Sequence, residues 1–511
     1  MNKQKEENSD QVTRIYDLIV IGSGAGNIVV DAALAAGQKV ALIEKTAWGG
    51  TCLNHGCIPT KMLVGPADRI REAQNNSRLG LVGDPPQADW SVIRSRCIQA
   101  VERGRKGTVD YYHEQPNCDL ILGRASFSGP HTLFVQATVA DLPTGEVGKV
   151  ILPPAEGLTV TAPKIVLACG GRTRIPDLPG LDQIPYFTSD RFFDQEMPAD
   201  FPRSVALIGG ADIGCEFAHI FSSFGADVTL VQRNVRLVPK QDEAVSQTLL
   251  DHFEAVGIKV LLRQNTQKVE PTEDGRIKLF SRDKETGEQH VTTADMLFIS
   301  AGIEAVTGDL NLAAADVQTD KRGWIQTDKY LRTSAPGIYA LGDINGRQQL
   351  RHKANYEAEI LAYNLFQKKA DQGPRQARYD CVPSATFTYP QIGRVGLTEK
   401  EAREQGLKVQ VAIHHYSEIA KGWSLGIDPG DEDKGFAKLI VESESQKILG
   451  LHVVGPEASI LVQGVAWLMH AGEQPGGTDF IDPRTVAALT RPMTIHPTLS
   501  ELVGWAPQHL K

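Results

Sequence analysis

Apolar runs broken by glycine mark two segments of the chain. "YDLIVIGSGAGN", from Tyr16 to Asn27, is an apolar stretch that runs into glycines. The alanine-rich "VVDAALAAGQ" and then "KVALIE" follow it. The pattern predicts strand, tight turn, helix, strand. It returns in "RSVALIGGADIGCEFAHIFSSFGADVTLVQR", from Arg203 to Arg233. Glycine lets a backbone approach a pyrophosphate closely, and that group sits on the positive end of the following helix.

Details differ between the two copies. In the first, Gly22 and Gly24 hold the first two motif positions, and Asn27 stands at the sixth, where Gly or Ala is usual. Glu44 ends the second strand, where a carboxylate can accept hydrogen bonds from ribose hydroxyls. In the second, Gly209, Ala211 and Gly214 occupy the three positions, and Gln232 stands where the first copy has Glu44. Ala211 adds a methyl near the expected pyrophosphate. The alternative for this copy is a unit that merely packs. Two dinucleotide sites in one chain point to electrons passing from one nucleotide to another.

At 511 residues the chain is too long for one core, and ~150 residues per domain suggests about three. Its formal charge of −9 and lack of a Lys/Arg run leave no basic patch for nucleic acid. No apolar stretch approaches the ~20 residues of a membrane span. The start, "MNKQKEENSDQVTR", has no apolar core of a signal peptide and is expected to be a frayed tail. Seven scattered cysteines argue for a reducing cytoplasm over a secreted disulfide framework. Five of them are expected to be small core residues. The other two, Cys52 and Cys57, lie close together in "GGTCLNHGCIPTK". There they can be a staple, a metal site or a redox pair; for a metal, only His55 is near as a further ligand.

That cysteine segment, the two glycine motifs, "APGIYALGDI" and "HPTLSE" together resemble the FAD-containing pyridine nucleotide–disulfide oxidoreductases, from about Tyr16 to Glu501. The resemblance implies an α/β chain with two Rossmann-like dinucleotide-binding domains, for FAD and NAD(P), and a C-terminal α+β dimerisation domain. The expected boundaries are 1–165 and 300–375 for the FAD domain, 166–299 for the NAD(P) domain, and 376–511 for dimerisation. "IVLACGG" (165–171) and "LFISAGI" (297–303) look like the family's two crossing segments, although Ile303 stands where an arginine is usual.

The resemblance also assigns roles. Cys52 and Cys57 would form a redox-active disulfide, with Cys57 against the flavin and Cys52 attacking substrate. A helix starting near Pro59 would favour the Cys57 thiolate. His55, where a small apolar residue is usual, could depress both thiol pKa values or simply face solvent. Lys61 would pair with Glu216 near the flavin and join two domains. Asp343 would contact FAD on its ribityl side, with further cofactor contacts at Asn27, Lys45, Gly50, Thr51, Lys61, Gly170 and Gly302. His496, oriented by Glu501, would be the acid–base group serving the other subunit of a homodimer. Gln232 lacks the carboxylate that repels a 2′-phosphate, and Arg233 and Arg236 could clamp one, which favours NADPH over NADH.

The expected substrate is a small dithiol or disulfide, a lipoyl group or a low-molecular-weight thiol disulfide, as in dihydrolipoyl dehydrogenase or mycothione reductase. Mercuric reductase would want a cysteine pair near the C-terminus, whereas the last cysteine is Cys381. A non-catalytic flavoprotein is the remaining alternative.

Overall fold

The computed structural model describes residues 13–138, 148–193, 197–431, 434–471 and 482–511. The expected frayed tail lies outside them up to residue 12. Contacts divide the chain into two compact units. The first comprises Met1–Pro59, Cys97–Arg174 and Ile303–Arg378; the second comprises Thr60–Arg96, Ile175–Gly302 and Tyr379–Lys511.

The first unit is built on a five-stranded parallel sheet. Its order is Ile338–Ala340, Lys164–Leu167, Leu18–Ile21, Val40–Glu44, Cys118–Leu122. The central strand carries only Leu, Ile and Val and is buried throughout, as a parallel strand covered on both faces requires. The helix Asn27–Ala35 connects it to Val40–Glu44. A second sheet orders Arg14–Ile15, Leu158–Thr161, Thr132–Gln136 and Arg124–Gly129. Ile19, Ala41 and Ile165 share one core with Phe127, Leu133 and Val160.

The second unit repeats the design. Lys259–Leu261, Asp227–Val231, Ser204–Ile208 and Met296–Ile299 form a parallel sheet, with helix Asp212–Ser223 between its two central strands. Phe217 and Phe221 on that helix pack on Phe298, with ring centroids 4.2 and 5.8 Å away. The same unit contains a five-stranded antiparallel sheet, ordered Ser384–Thr386, Ile392–Gly396, Ile448–Val454, Phe436–Glu442, Val409–His415, with helix Ala458–His470 against it. Two Rossmann-like sheets and a C-terminal α+β layer are therefore the architecture. Among the described residues no helix is long and apolar enough to cross a membrane.

The two crossing segments end as partners: Gly171–Thr173 pairs antiparallel with Ile303–Ala305 in the first unit, with Ile303 opposite Thr173.

Candidate active site

The first glycine turn is held by its neighbours' carbonyls. Gly22 has φ +102°, and a Cβ there would sit 2.4 Å from the Ala168 oxygen. Glu44 lies beside it, only 8% exposed. Its Oε2 accepts from the Ser23 amide and hydroxyl at 3.0 and 2.8 Å, and its Oε1 from the Lys45 amide at 2.8 Å. Ser23 was not singled out in the sequence; it fills the variable slot between two motif glycines, which carries no signal of its own.

The glycine pair before the cysteines exists because this turn leaves no room. A Cβ on Gly50, at φ +68°, would lie 2.7 Å from Gly24 Cα, while the Gly49 amide donates to Ser23 Oγ at 2.8 Å. The cysteine segment is thus laid against the first glycine turn.

The segment that carries the first cysteine is helical. Gly50–Asn54 forms a short helix that includes Thr51 and Cys52, and buried Asn54 ties it down by donating to the Trp48 and Gly50 carbonyls at 3.1 and 2.9 Å. The next helix runs Cys57–Gln74, so it begins at Cys57, just ahead of the expected start near Pro59. That puts Cys57 in the first turn of the helix, where the backbone amides lack helical acceptors. Gly56 allows the closure, since a Cβ there would press the Thr51 carbonyl at 3.1 Å. His55 and both cysteines are half-buried.

One turn further along this helix, Lys61 Nζ donates to both Glu216 oxygens, at 2.8 and 2.9 Å. Glu216 is 6% exposed and also accepts from the Phe387 amide at 2.9 Å, while Lys61 lies over the Phe387 ring at 4.3 Å. Both members of the pair belong to the second unit.

In the second turn, Gly209 has φ +107° and a Cβ would meet the Ser300 oxygen at 2.5 Å. Gly214 is tighter still, with Gly209 O 1.8 Å from such a Cβ. Gln232 follows strand Asp227–Val231 as Glu44 closes its own, and its amide donates to the Arg236 carbonyl at 3.3 Å. Arg236 is committed elsewhere, to Glu243 at 2.6 Å and the Pro239 carbonyl. Arg233 is exposed and has no ion pair among the described residues. Of the two arginines, Arg233 is the one with its guanidinium open. Gly170 and Gly302 have φ of +74° and +105°, with open space where a Cβ would stand.

Asp343 sits in a short turn, Gly342–Asn345, just after strand Ile338–Ala340. Burial pushes its carboxyl up to about 6; Glu357 adds to this, while Lys353 and Arg351 oppose it. The turn is braced by a pair missed in the sequence. Lys353 Nζ donates to the Gly342 carbonyl at 2.9 Å and meets Glu357 at 3.2 Å; Glu357 accepts from the Gly342 amide at 2.7 Å and from Asn345 Nδ2 at 2.8 Å. Both side chains are fully buried.

At the C-terminus, His496 Nδ1 lies 2.5 Å from Glu501 Oε1, and Glu501 Oε2 accepts from the Thr498 amide at 3.2 Å. Glu501 is completely buried, whereas the His496 side chain is 64% exposed. Trp505 stacks on the imidazole, with centroids 6.2 Å apart.

These residues suit FAD on structural grounds. Gly22, Gly24 and Gly50 keep the turn free of side chains where backbones pack closely, and Asn27 Oδ1 is buried with no hydrogen-bond partner among the described residues.

Comparison with known proteins agrees. The profile of the pyridine nucleotide–disulphide oxidoreductases matches residues 16–358, and that family's dimerisation domain matches 382–507. A mycothione reductase of Mycobacterium tuberculosis is 33% identical, covering 96% of this chain and 98% of its own. A dihydrolipoyl dehydrogenase of Chlamydia muridarum is 31% identical over 97% and 96%. Among solved structures, the HOCl-induced flavoprotein disulfide reductase RclA of Escherichia coli superposes with a TM-score of 0.77 at 25% identity, covering 95% of this chain and 98% of that one. The chain belongs to the class I pyridine nucleotide–disulfide oxidoreductases. It is an FAD-dependent NAD(P)H disulfide oxidoreductase with a dimerisation domain.

Proposed function

We propose that the protein is an NADPH-dependent reductase of a small organic disulfide, working as a homodimer in the cytoplasm. The observation that carries this reading is the His496–Glu501 dyad, in which a fully buried carboxylate holds an exposed imidazole. That arrangement suits proton transfer to and from a thiol more than a structural role.

Residues 1–165 and 300–375 would bind FAD, 166–299 NADPH, and 376–511 would dimerise. The Cys52 thiolate attacks one sulfur of the substrate disulfide and releases the first thiol. The Cys57 thiolate then attacks Cys52 Sγ in the mixed disulfide, releasing the second thiol and leaving a Cys52–Cys57 disulfide. The partner subunit's His496 gives a proton to each departing thiolate. Bound FAD would supply the two-electron link that returns the pair to dithiol. Lys61, fixed by Glu216, keeps a positive charge one helical turn beyond Cys57. A lipoyl group is the second reading, favoured by the dihydrolipoyl dehydrogenase relative's coverage of 97% of this chain.

Turnover with mycothione disulfide, glutathione disulfide and lipoamide, each with NADPH and NADH, separates the two readings. Cys52→Ser and Cys57→Ser should each retain FAD and lose disulfide turnover. His496→Gln should lose ~10²–10⁴-fold in thiol-linked turnover, yet keep stopped-flow reduction of the flavin by NADPH. Full turnover in either cysteine variant would refute the relay, and collapse of flavin reduction in His496→Gln would refute the histidine's role.

A further inference from the structure

A second cluster of ligating side chains lies in the C-terminal α+β layer and has no part in the relay. Strand Val409–His415 is the edge of its sheet, and alternation turns Ala412 and His414 inward while Ile413 faces out. The chain then enters a tight turn, Tyr416–Glu418, in which a Glu418 carboxylate oxygen accepts from the His415 amide at 2.6 Å. A terminal turn, Ala506–His509, brings the His509 ring against His414, with centroids 4.7 Å apart and planes 24° from parallel. One nitrogen from each histidine and one Glu418 oxygen all lie within 4.8 Å of one another.

We propose that His414, Glu418 and His509 form a binding site for a borderline divalent metal ion, Zn²⁺ foremost, which ties the terminal turn to the edge strand. His414 is prepared as a ligand. Its Nδ1 lies 3.0 Å from the Leu502 carbonyl, which can only accept, so Nδ1 carries the hydrogen and Nε2 keeps its lone pair. His414 is 3% exposed, so the ring is fixed by packing. Two imidazoles and one carboxylate suit Zn²⁺, Ni²⁺ or Cu²⁺, whereas Mg²⁺ and Ca²⁺ want oxygen-rich sets. Tetrahedral Zn²⁺ with bonds of about 2.0–2.1 Å needs donors roughly 3.3 Å apart. Closing that gap would turn the His509 ring out of its stack on His414, so that both lone pairs meet at one point, and would shift Glu418; water would complete the fourth position.

The test uses tag-free, full-length, FAD-loaded protein equilibrated with ZnCl₂ against a competing chelator. One Zn²⁺ per chain is expected, with affinity falling about 100-fold in His509→Ala and about 10-fold in Glu418→Gln. The Cys52→Ser/Cys57→Ser double variant, which removes the competing thiols, should bind as before. Cu²⁺ placed in the site should show electron paramagnetic resonance coupling to two imidazole nitrogens, and to one in His509→Ala. Unchanged affinity in His509→Ala, loss of binding in the cysteine double variant alone, or Cu²⁺ without nitrogen coupling would each overturn the site.

Discussion

The two glycine turns share a frame and differ in how it is filled. Gly22 and Gly209 adopt φ of +102° and +107°, and each is overhung by the carbonyl of the residue after a crossing strand, Ala168 or Ser300. Each donates its amide to the neighbouring strand, Gly22 to Ile43 at 2.8 Å and Gly209 to Val231 at 2.9 Å. Beyond that first glycine the copies part. The second helix begins at Asp212, so Gly214 already faces the Gly209 carbonyl and no Cβ fits. The first helix begins at Asn27, and Gly26 makes the close approach instead, with a Cβ 2.7 Å from Val20 and 2.9 Å from Gly22 O. Asn27 at the sixth position is therefore compensated one residue earlier. The third glycine is a contact whose place in sequence depends on where the helix starts.

The acceptors differ as well. Glu44 is bonded through both oxygens to four donors, the Ser23 amide and hydroxyl and the amides of Lys45 and Thr46. Gln232 does little more than steady the loop that carries Arg233 and Arg236. The first turn is preorganised around a carboxylate, and the second offers a neutral amide beside an open guanidinium.

The largest test of this comparison exchanges the first glycines. Gly22→Ala should purify without flavin, its 450 nm absorbance near zero, whereas Gly209→Ala should keep flavin that NADPH reduces at a small fraction of the normal rate. Flavin retained by the first variant, or lost from the second, would end the division of labour. A smaller effect concerns nucleotide choice. Arg233→Ala should raise KM for NADPH about tenfold or more, the scale of a charge-assisted contact, with KM for NADH nearly unmoved. Adding Gln232→Glu should then reverse the preference; equal changes for both nucleotides would break this reading. Smallest is the pair at the first helix. Asn27→Gly should change stability by no more than ~1 kcal/mol, because Gly26 already makes the close contact, and Gly26→Ala should cost more in a denaturant titration. The reverse ranking would return the third-glycine role to position 27.

The parallel sheets were readable because apolar runs such as "LIVI" and "VALIE" have few other fates, and their register carries Glu44 and Gln232 to matching places. His496 and Glu501 were readable as a motif, but the complete burial of Glu501 was not, since that comes from packing remote in sequence. Lys353 and Glu357 escaped notice for a physical reason. A lysine and a glutamate four apart ordinarily mark a solvated helix face, yet here both are buried because the turn bearing Asp343 presents a carbonyl and an amide to them. The second cysteine helix was readable near Pro59 because proline suits a first turn, and the structure admits Cys57 and Ile58 ahead of it.

The overhanging carbonyls of Ala168 and Ser300 have a consequence for recombination. Each glycine turn is moulded by a residue distant in sequence, Gly22 by Ala168 (168 − 22 = 146 residues on) and Gly209 by Ser300 (300 − 209 = 91 residues on). Because both modules supply such a carbonyl, a turn and helix grafted from one to the other would meet an equivalent backbone at its first glycine. A crossover inside the turn would instead misplace the later close approach, which falls at Gly26 in one module and at Gly214 in the other.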